Sequence, residues 1–525
     1  MLKSHVLTVR NQALIGVSLF VFGLLLAWEV GGKIVANDER SLMFAALGFA
    51  GCAIAVTILR RWRAGFYLFF IWLLFEDLVR KYMGNNLALF FGKDILLALV
   101  YFALLREIRR GREKTFRPPF LLFLSLFFWL GVLQIFNQNS PSLLYGLLGF
   151  KLYFYYVPLL FVGYALIRSD EDLRKFLVVS AVIAGVIGGL GIAQAIVGNG
   201  FLNPSKLAPE LEDLGNLTKV SPISNQAFSL PDSVFVSSGR FGEYLIVAFI
   251  LAMGTAAYLL FSTQRSRKLT FAVVGLVGCA TLLSGSRTAL VGVVFSALVL
   301  WAAFLWGTPW RQAYRIIKAI RRSAFVAALA LAVLVLAYPE KAASRLAFYA
   351  ETLSPESSAY EGSQRAWGYP IHNFLDAFNR PNWEIGNGIG TASLGGQYVA
   401  KVLGAQQHLI SVEEGYGQLI IEMGIIAPIL WIIWTAALVY HSWGVVRRLR
   451  GTRLFPIAFA ILWYAFLLLY PLTYVGLAQY ENYIANAYLW LLIGILYRLP
   501  EILIRPPTPI TAPPHHPRSG AESVY

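Results

Sequence analysis

Apolar runs of about 20 residues recur along the whole of this chain. A membrane-spanning α-helix needs roughly 20 predominantly apolar residues, and the 525-residue sequence has fourteen candidate runs separated by polar segments. The runs cover approximately residues 12–32, 42–59, 64–79, 87–105, 119–136, 146–167, 176–197, 241–262, 269–285, 288–306, 323–338, 415–440, 455–474 and 483–498. The pattern predicts an all-α polytopic membrane protein with about 14 transmembrane helices.

The overall charge fits this fold class better than it fits a nucleic-acid-binding protein. The chain is 58% hydrophobic and 14% charged, with a formal net charge of +16. Its basic residues occur in short runs between apolar segments, not on one soluble surface, so nucleic acid is not expected as a partner. Both cysteines, Cys52 and Cys279, lie within apolar runs, so neither a disulfide framework nor a metal cluster is expected.

The distribution of Lys and Arg predicts the orientation in the membrane. If the N-terminus is inside, the cytoplasmic segments contain 29 Lys and Arg and 7 Asp and Glu, whereas the rest of the chain contains 15 and 21. Basic residues are retained on the cytoplasmic side. We therefore expect both termini in the cytoplasm and a polar site on the external face of the membrane.

Two predicted external segments are long enough to be functional. The first spans about residues 198–240. The second, residues 339–414, lies between helices 11 and 12 and contains two amphipathic pieces, 341–353 and 363–378, which predict a lid of short helices. The predicted organisation is therefore helices 1–11 over 1–338, the lid over 339–414, helices 12–14 over 415–498, and a disordered Pro-rich tail over 499–525.

Several ionisable residues lie near the predicted outer boundary, where burial makes charge costly and often functional. The acidic and basic residues of FEDLVRK (75–81) are interpreted as a structural pairing. Arg287 is a stronger candidate because it lies in a Gly-Ser break, SGSRTALVG, where a ligand can approach the backbone. Its planar guanidinium suits phosphate oxygens. Arg365, Arg240 and Glu243 complete this set of candidates.

Two adjacent carboxylates, Glu413 and Glu414, precede an apolar run that itself contains Glu422. One acidic residue at a helix start is ordinary, because it stabilises the helix dipole. Two neighbouring carboxylates under a lid could also include a general base. The sequence leaves capping and catalysis open for this pair.

Three segments together resemble the O-antigen ligase and polymerase superfamily. They are SGSRTALVGVV (284–294), SQRAWGYPIHNFLDAFNRPNWEIGNGIG (363–390) and EEGYGQLIIEMGIIAP (413–428). In the last segment Tyr416, Gln418, Glu422 and Gly424 fall in register with the superfamily signature. Where its ligases carry His followed by Asn, this chain has Glu413 and Glu414. That difference favours a polymerase, and His372 or His408 could supply the missing imidazole.

The resemblance implies a glycosyltransferase of the bacterial inner membrane that polymerises polyprenyl-pyrophosphate-linked oligosaccharide repeat units on the external face, with inversion and without a metal or other cofactor. Arg287 and Arg365, with Arg240 next, would hold the pyrophosphate, and Glu413 or Glu414 would act as the base. Partners would be the lipid-linked glycan donor, the glycan acceptor, membrane lipid, and flippase, chain-length or export proteins. The alternatives are an O-antigen ligase acting on lipid A core and a flippase for the lipid-linked unit.

Overall fold

A computed structural model provides the fold of most of the chain. The structure is 76% helical. Several predicted parts lie outside the described residues: the first span, half of the second, half of the eleventh, the tail from residue 505, and the candidates Glu413 and His408. The structure describes residues 51–83, 87–203, 218–261, 267–309, 335–393 and 414–504, with a few single positions at 314–333 and at 399.

The first half of the described chain is helical apart from one hairpin. Residues Gly51–Arg60 are also helical. The elements are α1 (Trp62–Met83), α2 (Leu87–Arg109), α3 (Leu121–Ile135), α4 (Leu143–Phe154), α5 (Leu159–Leu166), α6 (Asp170–Val197), β1 (Thr218–Val220), β2 (Ala227–Ser229), α7 (Ser238–Leu260), α8 (Arg267–Leu283) and α9 (Arg287–Gly307).

The second half contains the lid helices and the carboxy-terminal helices. Two π-helical turns, Gln364–Gly368 and Leu468–Leu472, interrupt it. The elements are α10 (Pro339–Leu353), α11 (Tyr369–Ala377), α12 (Gly415–Met423), α13 (Ile426–Arg448), α14 (Phe455–Leu467), α15 (Thr473–Val475), α16 (Ala478–Glu481) and α17 (Tyr483–Ile504). Helices α10 and α11 form where the two amphipathic pieces of the lid predict them.

Six helical segments of the described chain are long and apolar enough to cross a membrane. This supports the prediction of a helical membrane protein, while the count of fourteen and the orientation stay predictions. The six segments are Leu143–Leu166, Asp170–Val197, Ser238–Leu260, Arg287–Gly307, Ile426–Arg448 and Phe455–Val475.

The chain forms two compact units. The smaller consists of Met1–Ile71 and Gly92–Arg109, and the larger of Trp72–Phe91 and Arg110–Tyr525. Every contact discussed below lies within the larger unit.

Helix α7 lies at the centre of the larger unit. It packs against α6, α8, α9, α14 and α17, and 83% of its apolar stretch is buried. In contrast, only 28% of the α9 stretch is buried. Helix α9 exposes Val291, Val294, Phe295 and Leu298, which follow the spacing of one helix face, as expected of a face that contacts lipid.

Helices α5 and α17 pack with their backbones in close approach. A side chain at Gly163 would clash with the carbonyl oxygen of Leu491, and one at Gly494 would clash with that of Leu160. Small residues allow such approach between membrane helices, where close van der Waals packing replaces the hydrophobic effect as the main attraction.

Among the described residues, the structure departs from the all-α prediction at the segment between α6 and α7. Strands β1 and β2 form an antiparallel hairpin in which Thr218 pairs with Ser229 and Val220 with Ala227. The strands have three residues each, too few for an alternating pattern to be recognised in the sequence. Phe228, on β2, is buried against Phe348 and Tyr349 of α10, so contacts distant in sequence stabilise the hairpin.

The predicted helix over 415–440 is also wrong in its bounds, because the chain breaks at Gly424. This glycine has φ +81° and ψ 175°, a conformation available almost only to glycine. The short helix α12 ends there, and the helix long enough to span a membrane is α13, which begins at Ile426.

Candidate anion-binding site

Arg287 is positioned by the cap of α9. The side chain of Ser286 accepts a hydrogen bond from the backbone N–H of Ala289 at 3.2 Å, which satisfies one of the donors left open at a helix start. Gly285, with φ +68°, makes the turn that precedes it. Arg287 is therefore the first residue of a well-defined helix, and its side chain leaves from the helix end.

Helix α10 supplies an aromatic ring beside this guanidinium. Phe348 is 2% exposed and packs with Phe228 of the hairpin. Its ring centre lies 5.6 Å from Cζ of Arg287 and 4.8 Å from Nζ of Lys219. A cation at this distance from a ring face is attracted to its electrons. Phe348 thus brings together two cations from separate parts of the chain.

Glu361 brings Arg365 to the same place. Its Oε2 atom accepts a hydrogen bond from Nε of Arg365 at 2.8 Å, and lies 3.5 Å from both Nη1 and Nη2 of Arg287. Arg287 and Arg365, which the sequence predicts to act together, therefore share one carboxylate oxygen. The catalytic and binding roles predicted for them stay predictions.

Lys219 is the member of this cluster that sequence reasoning missed. Burial lowers its pKa, Arg287 and Arg365 lower it further, and only Glu361 acts in the opposite direction. Three cations and one carboxylate give the cluster a formal charge of +2. Excess positive charge at one place is the electrostatic condition for binding an anion.

Arg240 pairs with a different carboxylate. Its Nη1 atom lies 2.9 Å from Oδ2 of Asp77, and its guanidinium lies 5.1 Å from the ring centre of Tyr483. The observed partner of Arg240 is thus a buried carboxylate, and its place in one pyrophosphate clamp with Arg287 and Arg365 stays a prediction. Glu243, one helical turn along α7, accepts a hydrogen bond from Asn482.

The cluster around Asp77 connects the end of α1 to the segment before α7. Arg80 pairs with Asp77 at 3.1 Å, as the sequence predicts. Lys81 instead pairs with Asp232 at 2.8 Å, and Nε2 of Gln194 donates to the same carboxylate at 2.6 Å. Pairing offsets the large cost of burying these charges, so the cluster holds the segment around Asp232 in place.

A second residue missed from the sequence, Arg345, fixes α10. This guanidinium is 3% exposed, and it donates to the carbonyl oxygens of Leu283 and Ser229, each at 2.9 Å. It also donates to the backbone carbonyl oxygen of Lys341, in its own helix, at 2.9 Å. Leu283 is the last residue of α8, where open carbonyls and the helix dipole favour a cation. Arg345 thus joins α10 to α8 and to the hairpin that carries Lys219.

Glu414 caps α12. Its two carboxylate oxygens accept hydrogen bonds from the backbone N–H groups of Tyr416, at 2.8 Å, and Gly417. The side chain is buried, and burial raises its pKa to about 7 although the two N–H donors act to lower it. The capping alternative is thus observed for Glu414. Glu413, its neighbour, lies outside the described residues.

The two remaining described candidates lie on α11 and α12. His372 is on an exposed position of α11, and Tyr416 is half-buried on α12. The helices pack closely, because a side chain at Gly417 would come within 3.1 Å of the carbonyl oxygen of Asn373. Since α11 follows directly after the π-helical turn containing Arg365, this packing connects the cation cluster to the start of α12.

Glu422, the third carboxylate of the motif, holds the glycine-rich turn of the lid. It accepts hydrogen bonds from the Tyr153 hydroxyl at 2.8 Å and from the backbone N–H of Ala392 at 3.0 Å. Its own carbonyl accepts from the N–H of Gly388 at 3.0 Å. Gly386 must be a glycine, because its φ is +84° and a side chain there would clash with the Glu422 carbonyl.

Within the described residues, no three His, Cys, Asp or Glu side chains come together as a metal site requires. No protein-family model matches the chain, and no curated protein matches it. The anion-binding chemistry of the cluster therefore rests on its own geometry, and the family resemblance stays an expectation.

Proposed function

We propose that this protein is an external-face membrane glycosyltransferase that polymerises polyprenyl-pyrophosphate-linked oligosaccharide repeat units. The observation that carries the proposal is the convergence of Lys219, Arg287 and Arg365 around a single carboxylate. The six apolar helices support a lipid-borne substrate. The resemblance of three sequence segments to the O-antigen ligase and polymerase superfamily supplies the reaction.

The cations would act on the leaving group. When an acceptor hydroxyl attacks the anomeric carbon, a carbon–oxygen bond forms and the bond to the pyrophosphate breaks, so its electron pair stays with the polyprenyl pyrophosphate. Fixed guanidinium groups stabilise the charge that develops there. Lys219 adds a third positive charge that is already partly desolvated and is therefore screened less than a surface lysine.

The hydroxyl proton needs an acceptor, and we propose Glu413. Both oxygens of Glu414 accept backbone hydrogen bonds at the start of α12, so Glu414 is assigned to the helix cap. A single displacement of this kind inverts the anomeric centre. In this proposal Glu413 therefore acts as the base, and Glu414 caps the helix.

Replacement of the cations by glutamine tests this proposal. We expect Arg287→Gln and Arg365→Gln to reduce polymerisation by roughly 100-fold or more, the usual effect of removing one group that stabilises developing charge. The size of the polysaccharide made in cells measures polymerisation, and in these variants single repeat units should accumulate on the polyprenyl pyrophosphate carrier. Arg380→Gln is the control, because Arg380 forms a similar i,i+4 pair with Asp376 at 2.8 Å outside the cluster. Normal polymer in the Arg287 and Arg365 variants would refute the proposal, and intact polymer that is not transferred to lipid A core would indicate a ligase.

A further inference from the structure

One oxygen atom occupies the centre of the cation cluster. Oε2 of Glu361 contacts Nε of Arg365 and both Nη atoms of Arg287. An oxygen of a bound phosphate would need these same N–H groups, since a guanidinium binds oxyanions through its edge. Glu361 and a phosphate therefore compete for the same donors.

The attachment of Glu361 is weak enough for competition. Its contacts to Arg287 are long, at 3.5 Å, and its shorter contact to Arg365 is an i,i+4 pair between side chains 55% and 47% exposed. Exposed pairs of this kind contribute little to stability, because water screens the charges and the side chains lose freedom when they pair. Glu361 directly precedes the helical turn that begins at residue 362, and its backbone carbonyl accepts a hydrogen bond from the N–H of Arg365 at 2.8 Å. Its backbone is therefore fixed, whereas its side chain is 47% exposed and can turn towards solvent.

We infer that Glu361 is an internal competitor for the anion site, which occupies the arginines in the free protein and leaves them when a diphosphate binds. The arginines lower the pKa of Glu361, with the Arg365 hydrogen bond as the largest cause, so it is ionised at neutral pH. Competition lowers the affinity for the diphosphate product and thereby speeds its release. This inference depends on the anion-binding part of the proposed function.

Binding of inorganic pyrophosphate to the purified full-length protein in detergent tests the inference. Calorimetry at fixed ionic strength and without divalent cations would compare the native protein with Glu361→Gln. Removal of one negative charge at contact distance should tighten binding about five- to tenfold. Asp376→Asn is the matched control, because it removes a carboxylate from a similar Arg pair on the next helix and should leave the affinity unchanged.

The outcomes separate this inference from the proposed function. Tighter binding in Glu361→Gln alone supports the competitor role. Weaker or unchanged binding in Glu361→Gln would overturn the competitor role. The anion site would stay intact in that case if the native protein binds pyrophosphate and Arg287→Gln abolishes this binding. No binding by the native protein, or equal binding by Arg287→Gln, would refute the anion site and the competitor together, whereas the polymer-size assay tests the reaction independently.

Discussion

Glu414 illustrates how burial changes the behaviour of a single carboxylate. In water such a group is ionised above about pH 4.5, but in this protein its pKa is about 7. The backbone N–H groups of Tyr416 and Gly417 hold its two oxygens, and these bonds only partly offset the cost of burial. The folded protein therefore binds a proton here that the unfolded chain releases.

This difference predicts a pH dependence of stability. A folded-state pKa above the unfolded value means that the stability contributed by Glu414 is fully present below about pH 4.5 and is lost as the pH rises through about 7. We expect the unfolding temperature of the native protein in detergent to fall between pH 5 and pH 8 by more than that of Glu414→Gln. Equal pH dependence in the two proteins would contradict the assignment.

At the same scale, sequence reasoning identified Arg287 and Arg365 but not Lys219. Arg287 is recognisable because an arginine in a Gly-Ser break between apolar runs is unusual. Lys219 lies in the predicted external segment among ordinary polar residues, and its role depends on the hairpin that places it beside Phe348. The pairing of Arg240 with Asp77 could not be predicted, because the two residues are 163 positions apart in sequence.

At the scale of elements, the break at Gly424 separates a short helix that carries the motif from one long enough to span a membrane. The carbonyl oxygen of Glu384 lies where a side chain of residue 424 would be. The backbone conformation and this packing both require glycine. The break thus allows the glycine-rich turn of the lid to contact the end of α12.

Substitution of Gly424 by alanine should therefore destabilise the protein. An alanine in this backbone conformation costs about 1–3 kcal/mol of the free energy of unfolding, and the clash with Glu384 adds to it. Gly444→Ala is the control: Gly444 lies on α13 with no atom within 4 Å of the added carbon, and alanine there should be neutral or stabilising by up to about 1 kcal/mol. Denaturant unfolding in detergent measures both, and equal stabilities would contradict the structural role of the break.

The helices were easier to predict from the sequence than the contacts between elements. Apolar runs identify a membrane helix because its backbone hydrogen bonds are all local. The hairpin of β1 and β2 and the interruption at Gly424 depend on residues of α10 and the lid, which no local pattern reveals. The resemblance to a known superfamily marked Glu422 within a motif, but not its hydrogen bond to Tyr153.

At the scale of the whole molecule, the distribution of basic residues predicts which ends of the helices face the cytoplasm. Glu356 is exposed in the lid, and Glu171 is 83% exposed at the start of α6. In a variant with Cys52 and Cys279 replaced by alanine, we expect Glu356→Cys to react with a membrane-impermeant maleimide in intact cells with permeabilised outer membranes. Glu171→Cys should react only after lysis. The reverse pattern would invert the topology and refute an external site.

The described lid residues, 339–393, are attached at several places: among them, Arg345 joins α10 to α8 and the hairpin, α11 packs on α12, and Gly388 bonds to Glu422. A loop held in this way loses its conformational entropy when the protein folds, not when a ligand arrives. Binding at the proposed anion site would then require the rearrangement of side chains, with little reordering of backbone. Such a site would select among anions by a backbone shape that exists before the ligand arrives.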